Sequence, residues 1–396
     1  ANALSEDLGI EARAIASWME RLRQGKPFLD RNSVLVVDEA GLLSSREMHA
    51  ILTEVHRADA KLILVGDRRQ LQAIGAGPGL DLVVRAIDAN RVDTIVRQRE
   101  EWAREAITAF GLGDAESALA VFARHGHLVE EETNRAALDR IVALRREHMK
   151  AAEEDQFLIV ARTNAQVAAI SRAVRNDLRE TGQLGGSDVS VRAVTPSGHE
   201  TEIQLAVGDR VRFLTRNDAL GVVNGTTGTV TKVTGVEHEG GKRDVLKIEA
   251  LVDGRHISFT PDDLADEKGR ARLGWAYATT VHGSQGMNVD RAVVLLDPSF
   301  DRNAIHVASS RARQATTLII DRSAIDMRLA ADLPLDRQDD RVEANAAERR
   351  KWLAEKLARA IVKSSTLDTV DVGPTRSGRW SHHPQHLTPR SLELSL

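Results

Sequence analysis

The sequence is poor in several residue types, and each shortage excludes a class of structure. Its 396 residues contain no cysteine, which excludes disulfide bonds and thiolate metal sites. Aromatic residues make up only 3% of the chain, so few side chains are available to stack against bases. No stretch approaches the roughly 18 continuous apolar residues of a membrane span, and the chain does not open on a basic, apolar leader. We therefore predict a cytoplasmic protein with no membrane segment.

The chain also lacks an excess of charge of either sign, since its formal net charge is −4. Nucleic-acid binding cannot be argued from this value, although a local basic lining would be enough for it. The phosphate-binding pattern G-x-x-x-x-G-K-[ST] is absent as well. What the chain does have is 42% hydrophobic residues over a length typical of two or three domains.

Strand-like and helix-like segments alternate in two parts of the chain, which favours an α/β fold with parallel sheets. The first part gives strands over 34–37 and 61–66, with a helix near 46–57 between them. Residues 97–155 carry helical patterning. The second part gives, in order, strand 157–160, a helix after Asn164, strand 292–296, helix 303–313 and strand 316–320.

Residues 206–262 interrupt this alternation with short β-rich runs. The runs lie at 209–214, 228–233, 245–250 and 256–260, and Asn-Gly and Gly-Gly pairs between them are strong turn signals. Several short strands with tight turns predict a small barrel inserted into the second α/β part. Further on, the composition predicts a linker over 334–344, a charged helix over 345–362 and a disordered tail over 363–396.

Two acidic residues, Asp38 and Glu39, directly follow the first apolar strand. A carboxylate in this position can hold Mg²⁺, and a second one can orient and deprotonate an attacking water. The alternative is structural, because acidic residues also favour the start of a helix. The next strand ends in Gly66-Asp67-x-x-Gln70, which places an amide beside the carboxylates, where it can contact a phosphate.

Arginines and a polar turn lie farther along the chain. Arg97 follows the first α/β part, and Arg311, which we place on the helix over 303–313, belongs to the second. Arginines that face a phosphate from another domain stabilise the charge on a transferred phosphoryl group, although an arginine pair is more often a solvated helix face. Within 280–286, Thr280, His282, Ser284 and Gln285 are candidates for contacting DNA phosphates. For Trp275 and Tyr277 we favour core packing over base stacking.

Together these segments resemble motifs II, III, V and VI of the superfamily 1 helicases, and within that superfamily they resemble the RecD-type branch. The resemblance is strongest to the helicase region of conjugative relaxases. It is carried by 37–42, 66–74, Arg97-Gln98, 277–286 and 306–313, in that order, and it covers about residues 1–360. Residues 207–211 and 224–228 resemble the SH3-like insertion of this branch.

The resemblance implies an ATP-dependent DNA helicase or translocase with two RecA-like lobes. The first lobe would be incomplete and span 1–98, the second would span 99–205 and 263–330, the SH3-like insertion 206–262, and the linker, helix and tail 331–396. ATP and Mg²⁺ would be the cofactors and single-stranded DNA the partner. Asp38 would hold Mg²⁺, Glu39 would be the catalytic base, Gln70 would sense the γ-phosphate, and Arg97 and Arg311 would contact it. Gly286 would also belong to the nucleotide site.

The family also has a P-loop and a relaxase domain, neither of which this sequence contains. We therefore expect the chain to be an N-terminally truncated piece of a longer protein, inactive or nearly so by itself. The missing portion and other conjugation proteins would be its further partners. The alternative is a module that binds single-stranded DNA without hydrolysing ATP. Because part of the first sheet would be missing, we also expect exposed sheet edges and apolar surface, and with them poor solubility or self-association.

Overall fold

The computed structural model describes residues 9–26, 28–73, 75–87, 89–90, 97–150, 156–236, 245–332, 344–361 and 363. The predicted disordered tail beyond 363 and most of the predicted linker lie outside these residues. None of the helices in the described part is long and apolar enough to cross a membrane.

The first unit of the fold is a two-stranded parallel sheet with helices on one face. Its elements are α1 (Ile15–Arg23), β1 (Val34–Val37), α2 (Ser45–Ala58), β2 (Lys61–Leu64) and α3 (Gly79–Ile87). The strands pair from Val34 with Lys61 to Val37 with Leu64. Helix α2 begins at a capping box in which Ser44 and Glu47 satisfy each other's backbone amides.

The opposite face of this small sheet is apolar and open. Val34, Val36, Ile63 and Val65 are each about half exposed, between 48% and 54%. They alternate with inward-facing residues such as Val37, which is buried with the helices. The expectation of exposed apolar sheet surface is therefore confirmed, whereas self-association stays a prediction.

The second unit is built on a five-stranded sheet. Its strands are β3 (Leu128–Glu131), β4 (Phe157–Ala161), β12 (Thr279–Thr280), β13 (Val289–Leu296) and β14 (Ala312–Asp321). All of them are parallel, and they lie in the order β12-β4-β13-β14-β3. Its helices are α4 (Glu101–Leu112), α5 (Ala115–Arg124), α6 (Asn134–Met149), α7 (Asn164–Glu180), α8 (Arg302–Ser309), α9 (Arg322–Ala331) and α10 (Ala346–Leu357). One apolar core includes α4, α5, α8 and α10, and the other includes α6 and α7. The chain is thus an α/β protein with helices on both faces of a parallel sheet.

Between β4 and β12 the chain forms an antiparallel β unit, which we define as residues 185–275. Its strands are β5 (Gly185–Val194), β6 (Glu200–Val207), β7 (Arg210–Phe213), β8 (Thr227–Val236), β9 (Val245–Val252), β10 (Arg255–Phe259) and β11 (Leu273–Trp275). Strands β5 and β6 form a hairpin, and the others form a sheet in the order β10-β9-β8-β7-β11. Both sheets contribute to one shared core.

Several predicted elements need correction. The helix predicted over 303–313 ends at Ser309, and β14 already begins at Ala312, so neither Arg311 nor Arg313 is helical. The hydroxyls of Ser309 and Ser310 donate to carbonyls of the preceding turn, which favours a helix end there. Strand β2 ends at Leu64, two residues before the predicted end.

Several strands were not predicted, among them β3, the β5–β6 hairpin and the short strands β11 and β12. Strand β3 lies inside the segment predicted to be helical, because it is short and ends in two glutamates. Most of the β5–β6 hairpin lies inside the range assigned to the second lobe, yet the hairpin packs on the antiparallel sheet. The four strands predicted within 206–262 are present. The SH3-like character of this unit and the domain boundaries stay predictions.

Candidate functional site

The candidate site lies at the carboxyl ends of β1 and β2. Because Val37 pairs with Leu64, the residues after both strands lie side by side at one sheet edge. The amide of Ala40 donates to the carbonyl of Val65 at 2.8 Å, which holds the two strand ends together. Asp38 is exposed at this edge, and its Oδ1 accepts the amide of Glu39 at 2.8 Å.

Glu39 has the most distinctive environment at this edge. Its backbone is left-handed, with φ 51°, which is unusual for a residue with a side chain and is found at functional sites. Burial, followed by the charges of Asp38 and Asp67, raises the pKa of Glu39, whereas Arg311 and Arg97 oppose the rise. A carboxylate with a raised pKa beside two guanidinium groups has the properties of a general base.

Asp67 links the two units through a histidine. Its Oδ1 accepts the amide of Arg69 at 2.8 Å, and its Oδ2 lies 3.9 Å from Nε2 of His306 on α8. The other ring nitrogen of His306 bonds the carbonyl of Ile107 on α4 at 3.1 Å. Burial opposes ionisation of Asp67, but the nearby His306 and the hydrogen bond from the Arg69 amide outweigh it, so the pKa of Asp67 is lowered.

The arginines come from the opposite side of the site. Arg311 is 2% exposed, and its guanidinium donates to the carbonyl of Val307 and to the hydroxyl of Ser310. Burial and then the neighbouring charge of Arg97 lower the pKa of Arg311 to about 10, while Glu39 raises it. Arg97 is exposed and donates to the Ser310 carbonyl at 3.2 Å.

Gln98 fixes the segment that carries Arg97. Its buried amide donates to the carbonyls of Ser310 and Ala312, each at 3.0 Å. Its oxygen has no hydrogen-bond partner among the described residues. Gln98 thereby ties Arg97 to the loop that carries Arg311, which explains how two like charges stay close together.

Gln70 lies on the loop that follows β2. Its backbone carbonyl accepts a hydrogen bond from Nδ2 of Asn303 on α8 at 2.6 Å. Its side-chain oxygen is buried and has no hydrogen-bond partner among the described residues. The loop is therefore fixed against the second unit, while the hydrogen-bonding capacity of the amide oxygen stays unused by the described residues.

The polar turn, which we define as residues 279–286, begins with β12. Ser284 is fully buried, and its hydroxyl donates to the Val281 carbonyl at 2.7 Å, so that hydroxyl faces the turn itself. Thr280 accepts the amide of Gly283 at 3.2 Å. Gly286 is exposed with φ 75°, and nothing lies within 4 Å of the position where a Cβ would be.

His282 and Gln285 are the two residues of the polar turn with unusual environments. His282 is exposed at the surface, but desolvation and then the charge of Arg162 lower its pKa, while Asp301 opposes the shift. The Nε2 of Gln285 is buried with no acceptor among the described residues. By contrast, Tyr277 and Trp275 pack in the apolar cores, as favoured from the sequence.

The structure brings the residues of one predicted group together at the sheet edge: Asp38, Glu39, Gln70, Arg97 and Arg311. The polar turn begins with β12 in the second unit, and among the described residues no hydrogen bond or ion pair joins it to this group. Sequence reasoning gave no role to Asp67, His306 and Asn303, which join the two units. The only sequence signal for them is that each lies within or beside a polar segment already singled out.

The oxygen atoms of Asp38, Glu39 and Gln70 are of the kind that hard cations prefer. Among the residues that the structure describes, no group of three or more acidic or histidine side chains could hold a metal ion by itself. Mg²⁺ needs only one or two carboxylates when phosphates complete its coordination. The donor set therefore fits a magnesium nucleotide.

The chain is similar to known proteins in sequence and in fold. A family described as an AAA domain matches residues 1–133. The conjugal transfer protein TraA of Agrobacterium fabrum is 33% identical over 312 residues, which are 78% of this chain and 26% of TraA. The RecBCD enzyme subunit RecD of Mycolicibacterium smegmatis is 26% identical over 313 residues, which are 73% of this chain and 50% of RecD. A crystal structure of Bacteroides Pif1 helicase with ADP-AlF3 and ssDNA covers 79% of this chain and 74% of its own, at 18% identity and TM-score 0.46.

The chain spans only about a quarter of the length of the TraA proteins that it matches. The match nevertheless takes in 78% of this chain. The order of these motifs and the sequence similarities show that the chain belongs to the RecD-like branch of the superfamily 1 helicases, where it matches the helicase region of conjugal transfer relaxases.

Proposed function

We propose that this chain is the motor segment of an ATP-dependent DNA helicase or translocase, which unwinds plasmid DNA during conjugation. The observation that carries the proposal is the pair of arginines at the acidic sheet edge. Arg97 and Arg311 repel each other, which contributes to the lowered pKa of Arg311, and Glu39 is the carboxylate that opposes this effect. Two close guanidinium groups that share one carboxylate have charge left to bind a phosphate.

Asp38 is the residue that would hold Mg²⁺, because its carboxylate is exposed at the end of β1. The magnesium nucleotide, when bound, supplies the phosphoryl group and the positive charge that neutralises it. The chain's own residues then have separate tasks. Glu39 accepts a proton from the attacking water, for which its raised pKa suits it, and Gln70 orients groups near the terminal phosphate. Gly286 leaves the backbone of the polar turn open to a ligand.

Arg97 and Arg311 stabilise the charge that develops on the phosphoryl group. Because Asp67, His306 and Asn303 connect the loop of Gln70 to helix α8, movement of that loop would also move the second unit. This connection supports a motor in which the state of the nucleotide changes the relation between two RecA-like lobes.

The polar turn is proposed to contact single-stranded DNA through Thr280, His282 and Gln285, with Ser284 supporting the turn from inside. We further propose that the β unit is the SH3-like insertion between the two parts of the second lobe. Its strands span 185–275, a wider range than the predicted 206–262.

ATP hydrolysis by the purified chain, with and without single-stranded DNA, tests the proposal. The sequence contains no P-loop pattern, and that loop normally supplies most contacts to the β- and γ-phosphates. We therefore expect turnover to be very slow and to disappear completely in Glu39→Gln. Thr53→Val is a matched control, because its hydroxyl lies on α2 and bonds only the carbonyl of His49.

Each outcome has a distinct meaning. Turnover that persists unchanged in Glu39→Gln would contradict the assigned base. The absence of all turnover, combined with single-stranded DNA binding that nucleotide does not alter, would favour the alternative of a non-hydrolysing DNA-binding module. Failure to bind DNA at low salt would contradict both functions.

A further inference from the structure

Strand β7 carries two arginines on the face that points away from the core of the β unit. Val211 and Phe213 are fully buried in that core. Because successive side chains of a strand alternate in direction, Arg210 and Arg212 face the other way. Neither arginine was given a role by the proposed function.

Arg212 lies where the β unit meets the polar turn. Its Nη1 donates to Oγ1 of Thr279 at 2.8 Å. A Cβ added at Gly283 would lie 3.1 Å from the same Nη1 and would collide with the Thr279 hydroxyl. A Cβ at Gly225, in a turn of the β unit, would lie 3.4 Å from Nη2. The guanidinium therefore fills the junction between two turns, and glycine is needed for this approach.

Arg212 is a desolvated arginine. Among the residues that the structure describes, no carboxylate forms an ion pair with it, and burial lowers its pKa. Arg175 shows the contrast, since it is also partly desolvated but pairs with Asp188 and Asp209. Taking a guanidinium out of water costs several kcal/mol unless an anion and hydrogen bonds compensate it. Arg212 has five N–H donors and one acceptor.

A second unused donor lies in the same turn. The Nε2 of Gln285 is buried without an acceptor among the described residues. Among the described residues, the junction thus combines an unused amide donor with a desolvated guanidinium that no carboxylate pairs.

We propose that Arg212 binds a backbone phosphate of single-stranded DNA at the junction between the β unit and the polar turn. A phosphate supplies the missing negative charge and accepts two parallel N–H bonds from a guanidinium. The inserted β unit is then part of the DNA path, because it supplies the charge while the polar turn supplies amide donors. This inference rests on the proposed function, since it requires that the chain binds single-stranded DNA.

The test is fluorescence anisotropy of a labelled thymidine oligonucleotide titrated with the full chain over a series of KCl concentrations. For Arg212→Gln we expect about tenfold weaker binding, the loss typical of one charge-assisted hydrogen bond. The slope of log K against log salt should fall in magnitude by about 0.7, the value for one phosphate contact on a single strand. Arg212→Lys should keep the slope while binding more weakly, because lysine keeps the charge but not the planar fork.

The matched control is Arg255→Gln. Arg255 is exposed on β10, at the opposite edge of the five-stranded sheet from β11, and it bonds the carbonyl of Gly221. The Arg255→Gln variant should bind the oligonucleotide with the same affinity and salt dependence as the unchanged chain. Circular dichroism of each variant establishes that it is folded.

Unchanged affinity and slope in Arg212→Gln would overturn the inference while leaving DNA binding in place. A reduced slope in folded Arg212→Lys would also overturn it, because a phosphate contact depends on charge that this variant retains. If the unchanged chain does not bind the oligonucleotide even at low salt, the proposed function fails first and the inference fails with it.

Discussion

The buried carboxylate of Asp209 should be the most important single side chain for attaching the β unit to the second unit. Asp209 is 0% exposed and precedes β7. It accepts hydrogen bonds from the amide of Ala206 at 2.7 Å, from Nε and Nη2 of Arg175 at 3.0 Å each, and from the hydroxyl of Tyr277 at 2.7 Å. Arg175 belongs to α7, so the network joins the two units.

The expected cost of Asp209→Asn follows from this burial. Removing one partner of a buried ion pair costs about 3–5 kcal/mol, and the partly exposed Asp188 would compensate the charge of Arg175 only in part. Two weaker variants provide a scale. Tyr277→Phe removes one hydrogen bond to a charged acceptor, worth about 1.5–3 kcal/mol. Asp188→Asn removes the other partner of Arg175, but Asp188 is 37% exposed, so about 1 kcal/mol is expected.

Urea unfolding monitored by tryptophan fluorescence measures these differences. With a slope of about 1–3 kcal/mol per molar urea, a loss of 3–5 kcal/mol lowers the midpoint by about 1 M or more. The predicted order of destabilisation is Asp209→Asn, then Tyr277→Phe, then Asp188→Asn. If Asp209→Asn costs less than about 1 kcal/mol, or no more than Asp188→Asn, the argument from burial is refuted.

Three other predictions concern the candidate site. Glu39→Gln should raise the free energy of unfolding at pH 7.5, as measured by urea unfolding. Because the pKa of Glu39 is raised in the folded state, the contribution of this side chain to stability is fully present below about pH 4.5 and is lost as pH rises through the folded pKa. The advantage of the variant over the unchanged chain should therefore disappear near pH 4. Asp67→Asn should lower the free energy of unfolding at pH 7.5. The lowered pKa of Asp67 in the folded state gives stability that is present above about pH 3.8 and is lost as pH falls through the folded pKa. Equal stability of the variant and the unchanged chain at pH 7.5 would count against the His306 contact. Gly111→Ala should lower the thermal midpoint despite the better helix propensity of alanine, since its Cβ would lie 3.0 Å from Nδ1 of His306, whereas Gly235→Ala, with nothing within 4 Å, should not lower it comparably.

Local patterns were sufficient for the parts of the structure that depend on neighbouring residues. The apolar runs before Asp38 and Asp67 predict β1 and β2, and their shared sheet edge follows from the parallel pairing of consecutive strands. The strands of 206–262 were predictable because alternation and glycine turns are short-range signals. Helix α8 was predicted too long, because the residues that end it do so through hydroxyl bonds to its own last turn.

The family resemblance, the acidic sheet edge and the identity of the residues proposed to act there all follow from the sequence alone. Which of these residues meet depends on the tertiary structure. Arg97 and Ser310, and Gln70 and Asn303, are separated by more than 200 residues, yet each pair is joined by a hydrogen bond. Such contacts depend on how two units pack, which no local periodicity encodes. The same holds for Arg212. That no carboxylate among the described residues pairs with it depends on all the side chains packed around it, and most of these are distant in the sequence.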